Sequence, residues 1–147
     1  MNYGINILIR KTMYYDIKLS VEKEVPSKNM GTTLKVVTEQ YICDTDNVGS
    51  AFYKVMELYN NECEVLSVSA SKIQEIVNDK VEDKPFFKAK LSDVYTNDEG
   101  EEKESQFVVL VCAKDITEAH SLMQEYIKQG YDMQMIGINK TKILDII

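Results

Sequence analysis

Tyr14-Tyr15-Asp16-Ile17-Lys18-Leu19-Ser20 returns 72 residues later as Phe86-Phe87-Lys88-Ala89-Lys90-Leu91-Ser92. Working outward from this pair, the same order of segments appears twice. Tyr41-Ile42-Cys43 matches Leu110-Val111-Cys112 at a shift of 69. Val48, Ala51 and Val55 match Ile116, Ala119 and Met123 at a shift of 68. Val68 to Ile73 matches Ile138 to Ile143 at a shift of 70. A shift that drifts by only a few residues is what loop insertions and deletions leave after a tandem duplication.

Each copy reads as strand, strand, helix, strand. In the first strand Tyr15, Ile17, Leu19 and Val21 alternate with Tyr14, Asp16, Lys18 and Ser20, the period of a half-buried strand. Polar turns follow at Pro26–Thr33, with Gly31, and at Thr96–Lys103, with Asn97-Asp98-Glu99-Gly100. The second strands are Lys35–Cys43 and Ser105–Cys112. Phe107 to Cys112 is apolar throughout, which predicts deep burial. Val48, Ala51, Phe52, Val55, Leu58 and Tyr59 predict one face of a helix, and Ile116, Ala119, Met123, Tyr126 and Ile127 the other helix. Asp115 is the expected N-cap, with Glu118 completing a box-like start, and Gly130 is the expected stop. Third strands are Glu64–Ser69 and Met133–Ile138. Each copy ends in a short apolar stretch, Ile73–Val77 or Ile143–Ile147, read as one or two helical turns.

The fold class is therefore α+β: an internal duplication of a ββαβ unit, with mainly antiparallel sheet and two main helices. Residues 1–12 are an extension with no counterpart, either an added strand or a stretch upstream of a start at Met13. Residues 13–77 are the first repeat, 78–85 a polar linker and 86–147 the second repeat. Each repeat is small for a private core, so the two are expected to pack together as one pseudo-symmetric sheet or barrel-like body.

Lys35-Val36-Val37-Thr38-Glu39-Gln40-Tyr41-Ile42, followed by an acidic turn and an Ala-containing amphipathic helix, resembles a domain-of-unknown-function family of gut anaerobic bacteria and their phages. Phe86-Phe87-Lys88-Ala89-Lys90-Leu91 resembles the opening of that family's second half. Ile143-Leu144-Asp145-Ile146-Ile147 resembles its apolar-Asp-apolar close. The resemblance covers Met13 to Ile147, with Tyr14 and Tyr15 where the family carries a tryptophan. It implies the duplicated architecture and a phage-or-host setting, and it brings no activity and no catalytic residues.

Composition narrows the function classes. The 147 residues carry a net charge of −7, which disfavours non-specific binding to nucleic acid but permits a local basic patch. No apolar run approaches the ~18 residues of a membrane span, and no secretory pattern opens the chain, so a cytoplasmic protein is expected; that its setting is a bacterial host cell is what the family resemblance implies. Cys43, Cys63 and Cys112 have no pairing or zinc spacing and read as free thiols, mostly buried. His120 lacks partners for metal binding or general-base work. The isolated glycines form no phosphate loop. Asp98, Glu99, Glu101 and Glu102 lack the ligand spacing of a calcium loop. No catalytic residue, metal or cofactor is assigned, and the chain is read as non-enzymatic.

One constellation occurs once per repeat. Tyr14 and Lys18, like Phe86 and Lys90, lie four residues apart and so share a strand face. Lys72 and Lys142 are equivalent positions. An aromatic with a lysine on an open sheet face can stack a base and neutralise a phosphate. The bland reading is that duplication copied inert lysines while the aromatics pack between the repeats. Tyr14, Lys18, Phe86, Lys90, Lys72 and Lys142 are accordingly the candidate ligand-binding residues. They point first to a nucleotide or single-stranded nucleic-acid binder. The alternatives are a phage sponge that sequesters a cyclic-nucleotide signal of its host, and an acidic protein-interaction adaptor or structural subunit. A homo-oligomer is compatible with all three.

Overall fold

The computed structural model describes residues 13–78, 83–129 and 133–147. The 1–12 extension, the middle of the linker and Gly130 lie outside these. The elements run β1 (Tyr14–Pro26), β2 (Thr32–Asp44), α1 (Val48–Leu58), β3 (Glu64–Ala70), β4 (Ile73–Val77), β5 (Phe86–Thr96), β6 (Glu102–Cys112), α2 (Ile116–Ile127), β7 (Met133–Lys140) and β8 (Ile143–Ile146). No helix among the described residues is long and apolar enough to cross a membrane.

The two long hairpins form as their turns dictate. Gly31 and Gly100 take positive φ, +104° and +78°, conformations that cost glycine little. In the second turn Asn97 Oδ1 accepts from the backbone N–H groups of Glu99 and Glu101 at 3.0 and 2.9 Å, the Asx chemistry that closes such loops. Both helices start on side-chain caps: Asn47 accepts from Ser50 N and Asp115 from Glu118 N, each at 2.8 Å. The apolar stripe of α1 is narrower than its periodicity predicts. Ala51 and Val55 are buried, whereas Val48, Phe52 and Leu58 are exposed.

The ends of the repeats differ from the sequence expectation. Ile73–Val77 and Ile143–Ile146 form short strands in place of helical turns, and each crosses to the other repeat. β4 pairs parallel with β6, Ile73 opposite Val108 and Val77 opposite Val111. β8 pairs parallel with β2, Gln40 opposite Ile143 and Ile42 opposite Ile146. The result is neither one sheet nor a barrel. Two four-stranded sheets form, with orders β3-β1-β2-β8 and β4-β6-β5-β7, and each contains one strand from the other repeat.

Each sheet uses both faces. One packs on its own helix: Tyr15, Ile17, Leu19 and Cys43 against Ala51 and Val55, and Phe87, Ala89, Leu91, Val109 and Val111 against Ala119 and Met123. The opposite faces meet between the repeats, where Ile42, Ile73, Phe86, Leu110, Cys112 and Ile143 are buried together. The alternation of β1 and β5 is thus satisfied twice, by helix on one side and by the other repeat on the second.

Candidate functional site

The strand crossovers position the candidate residues. Ser71-Lys72 leads from β3 to β4, and Thr141-Lys142 leads from β7 to β8. Both dipeptides are fixed in the same way. Ser71 N donates to Tyr14 O at 2.8 Å, and Thr141 N donates to Phe86 O at 2.9 Å. Ser71 Oγ and Thr141 Oγ1 then accept from Ile73 N and Ile143 N, each at 3.2 Å. Lys72 and Lys142 are therefore held beside Tyr14 and Phe86 by backbone geometry, in pseudo-symmetric positions.

A cleft of about 970 Å³ opens at the first crossover, where Tyr14, Ser71 and Lys72 of the first repeat face Lys90, Gln106 and Phe107 of the second. Its described lining also includes Gln74 and contains no Asp or Glu, in a chain of net charge −7. Lys72 and Lys90 are exposed and Tyr14 is half-buried. Two cations, three neutral hydrogen-bonding side chains and an aromatic edge are suited to an anion with a planar or polar body.

A second cleft, about 820 Å³, opens at the other crossover. Lys84, Lys140 and Lys142 line it with Asp83, Asp145 and Phe86. Its cationic surplus is smaller, because two carboxylates share the lining and Lys84 pairs with Glu118 at 3.3 Å.

The six candidates are thus divided. Tyr14, Lys72 and Lys90 come together, drawn from both repeats. Phe86 and Lys142 share the other cleft. Lys18 lines neither and lies exposed, opposite Gln40 on β2. Each aromatic shares a strand face with the lysine four residues on, but the cleft joins Lys90 to Tyr14, across the repeats. Phe86 is only 2% exposed. Its ring packs between the repeats and has no face open for stacking, because the crossing strands cover the near end of the sheet face that the alternation leaves open.

Sequence reading missed Gln74, Gln106, Lys84 and Lys140, whose placement depends on the crossovers. It also missed a polar cluster on the first repeat's helix-facing side. Buried Glu39 accepts from Lys23 Nζ at 2.9 Å and from Tyr59 OH at 2.7 Å, and the Tyr41 and Tyr59 hydroxyls lie 2.7 Å apart. Burial, then the bonds to Tyr41 and Glu39, push the Tyr59 phenol above its ordinary value. Glu39 interrupting the Val37–Tyr41 alternation was the available signal.

Among the described residues no group of His, Cys, Asp and Glu side chains could hold a metal ion. Cys43 and Cys112 are buried thiols and Cys63 is half-buried. Burial raises the thiols of Cys43 and Cys63, which keeps them protonated and unreactive. His120 lies exposed, 3.3 Å from Gln124 Nε2.

A duplicated sheet-plus-helix unit spanning Met13 to the last residue, with this strand exchange, is the extent over which the family description domain of unknown function, DUF4494, matches: residues 13–147. The chain belongs to the DUF4494 family. No curated protein and no solved structure matches it. The DUF4494 match spans both repeats and both clefts, so the Lys72–Lys90 cleft lies inside the family domain.

Proposed function

We propose that this DUF4494 chain is a non-enzymatic binding protein for a nucleotide-derived ligand, held in the cleft that Tyr14, Lys72 and Lys90 line. The observation that carries the reading is the convergence of two lysines from different repeats in a cleft whose described lining has no carboxylate. Phosphate is the anion that suits two point cations at a distance, and Tyr14 with the two glutamines suits a base. A cleft of about 970 Å³ is the size of a small-molecule site. The acidic remainder of the surface favours a discrete nucleotide over a long single strand, which would need a continuous positive track. In the gut-bacterial and phage setting that the sequence resemblance implies, the role would be sequestration of a host nucleotide signal in the cytoplasm.

Isothermal titration of the full chain with mononucleotides, cyclic dinucleotides and a short oligonucleotide tests this. Expected is saturable binding of a small nucleotide, weakened at least about tenfold by Lys72→Ala or Lys90→Ala, since a charge-assisted hydrogen bond contributes roughly 1.5–3 kcal/mol. Lys18→Ala, outside the cleft, is the control and leaves binding unchanged. No binding to any member of the panel, or equal loss with the control, would remove the assignment.

A further inference from the structure

The two repeats act as internal controls for each other, and they differ most on their hairpin arms. β8 covers β2 only at Gln40–Ile42, so among the described residues the outer edge of β2 from Thr32 to Glu39 pairs with no strand. Leu34 and Val36 on this arm are 65% and 63% exposed. Registers on β1 and β5 make Glu102 and Glu104 their counterparts in the second repeat: Leu34 lies opposite Glu24 and Val36 opposite Glu22, as Glu102 lies opposite Thr96 and Glu104 opposite Val94. The same architecture is therefore built with glutamates at these positions, and the fold does not require leucine and valine there.

Among the described residues the other open edges are shorter, bulged or more heavily charged, features that oppose strand addition. β4 and β8 are only five and four residues long. β3 and β7 each carry a bulge, skipping Leu66 and Ile136 in their pairing with β1 and β5. The free edge of β1 beyond Ser20 presents Glu22, Lys23, Glu24 and Pro26, and that of β6 presents Glu102, Lys103 and Glu104. β5 has only Val94 to Thr96 beyond its last partner on β7. Thr32-Thr33-Leu34-Lys35-Val36-Val37-Thr38 has one charge, no proline and no bulge, and four of its residues besides Leu34 and Lys35 are β-branched along with Val36.

We infer that this edge joins two copies of the chain, β2 against β2, through an antiparallel pairing with Lys35 on the two-fold axis. The occupant is a second copy because pairing the segment with itself sets apolar and β-branched residues opposite one another. With Lys35 at the centre, Leu34 meets Val36 twice, Thr32 meets Thr38 and Thr33 meets Val37, each pair on a common face. A closed two-fold contact of this kind uses one patch on both partners. The stretch holds no carboxylate, so two chains of net charge −7 can meet here without opposing acids. The two Lys35 ammonium groups oppose each other in exposed positions, where salt screens them. Seven paired residues and three apolar side chains a side make an interface smaller than the ~1,600 Å² of a stable complex, so the dimer forms with concentration and strengthens with salt.

Sedimentation equilibrium of the full chain is the test. The expected result is a monomer–dimer equilibrium, with the dimer dissociation constant raised at least about tenfold in the Leu34→Glu/Val36→Glu variant, which copies the residues the second repeat already uses. Lys35→Cys should form a disulfide-linked dimer on mild oxidation, more than the unmodified chain does, and this readout stands even if the glutamate variant misfolds. A chain that stays monomeric, a dimer unaffected by both glutamates, or absence of the Lys35→Cys cross-link would each overturn the proposal. A monomer whose stability falls with the glutamates would instead place a segment of the same chain on this edge.

Discussion

The Tyr126 hydroxyl on α2 donates to Glu75 Oε2 on β4 at 2.6 Å. It ties the helix of one repeat to the strand that the other repeat contributes. The counterparts in the first sheet, Leu58 and Asp145, cannot form this bond, since leucine has no donor. The two crossovers are therefore secured unequally.

Removing the bond with Tyr126→Phe should lower stability by about 1 kcal/mol, the net worth of an ordinary hydrogen bond. Burial, then the bond to Glu75, push the Tyr126 phenol up to about 12. Its folded value lies above the unfolded value of about 10, so its contribution is complete below pH ~10 and is lost as pH rises toward 12. Chemical denaturation at pH 7 and at alkaline pH checks both points. The gap between the native chain and Tyr126→Phe should close in the alkaline range, and an unchanged gap would contradict the coupling.

Phe86 and Lys142 line one cleft but should behave oppositely. Phe86→Ala should cost about 3–5 kcal/mol, as loss of a packed core aromatic does, because the ring fills the space between Ile42, Leu110 and Ile143. Lys142→Ala, at an exposed position, should stay within about 0.5 kcal/mol. Thermal or urea unfolding separates them. A Phe86→Ala protein of native stability would mean that the ring is not part of the inter-repeat core.

The duplication was legible because alternation in β1 and β5, and the helical stripe around Ala51–Val55 and Ala119–Met123, are local patterns. The same rule put Tyr14 with Lys18 and Phe86 with Lys90 on the face away from the helix, and that is where they are. Sequence could not show that the near end of this face, at Tyr14 and Phe86, is covered by the other repeat while Lys18 stays open. That depends on β4 and β8. A run as short as Ile73–Val77 does not distinguish a strand from a helical turn by periodicity, and its partner Val108 lies far along the chain. The cleft inherits the same difficulty: Tyr14 and Lys90 come together only once the crossing strand is known.

Glu39, Tyr59 and Tyr41 should act as one unit. Tyr59→Phe removes the donor to a buried carboxylate and the partner of Tyr41, so about 1–3 kcal/mol of stability should be lost. A double-mutant cycle of Tyr59→Phe with Tyr41→Phe should show a coupling of roughly 0.5–3 kcal/mol, as groups in one hydrogen-bond network do. Strict additivity would mean the Tyr59 and Tyr41 hydroxyls are energetically independent. The second repeat has apolar Phe107 opposite Leu91, where Glu39 lies opposite Leu19, so the cluster is a feature of one repeat and not of the fold.

Strand exchange makes a prediction about the halves themselves. Residues 13–78 made alone would leave their sheet without β8, and residues 83–147 would leave theirs without β4. Each would also expose its share of the Ile42, Ile73, Phe86, Leu110 and Ile143 cluster. A unit of this size has little core to spare, and an unpaired, apolar sheet edge is open to association. Neither fragment should therefore be a folded monomer, whereas the two mixed in equal amounts should recover the far-ultraviolet spectrum and cooperative melting of the intact chain. Circular dichroism with gel filtration, on each fragment and on the mixture, is sufficient. A single fragment that melts cooperatively as a monomer would show that the crossing strands add to a repeat already complete, and the exchange would then be an embellishment of the fold and not its basis.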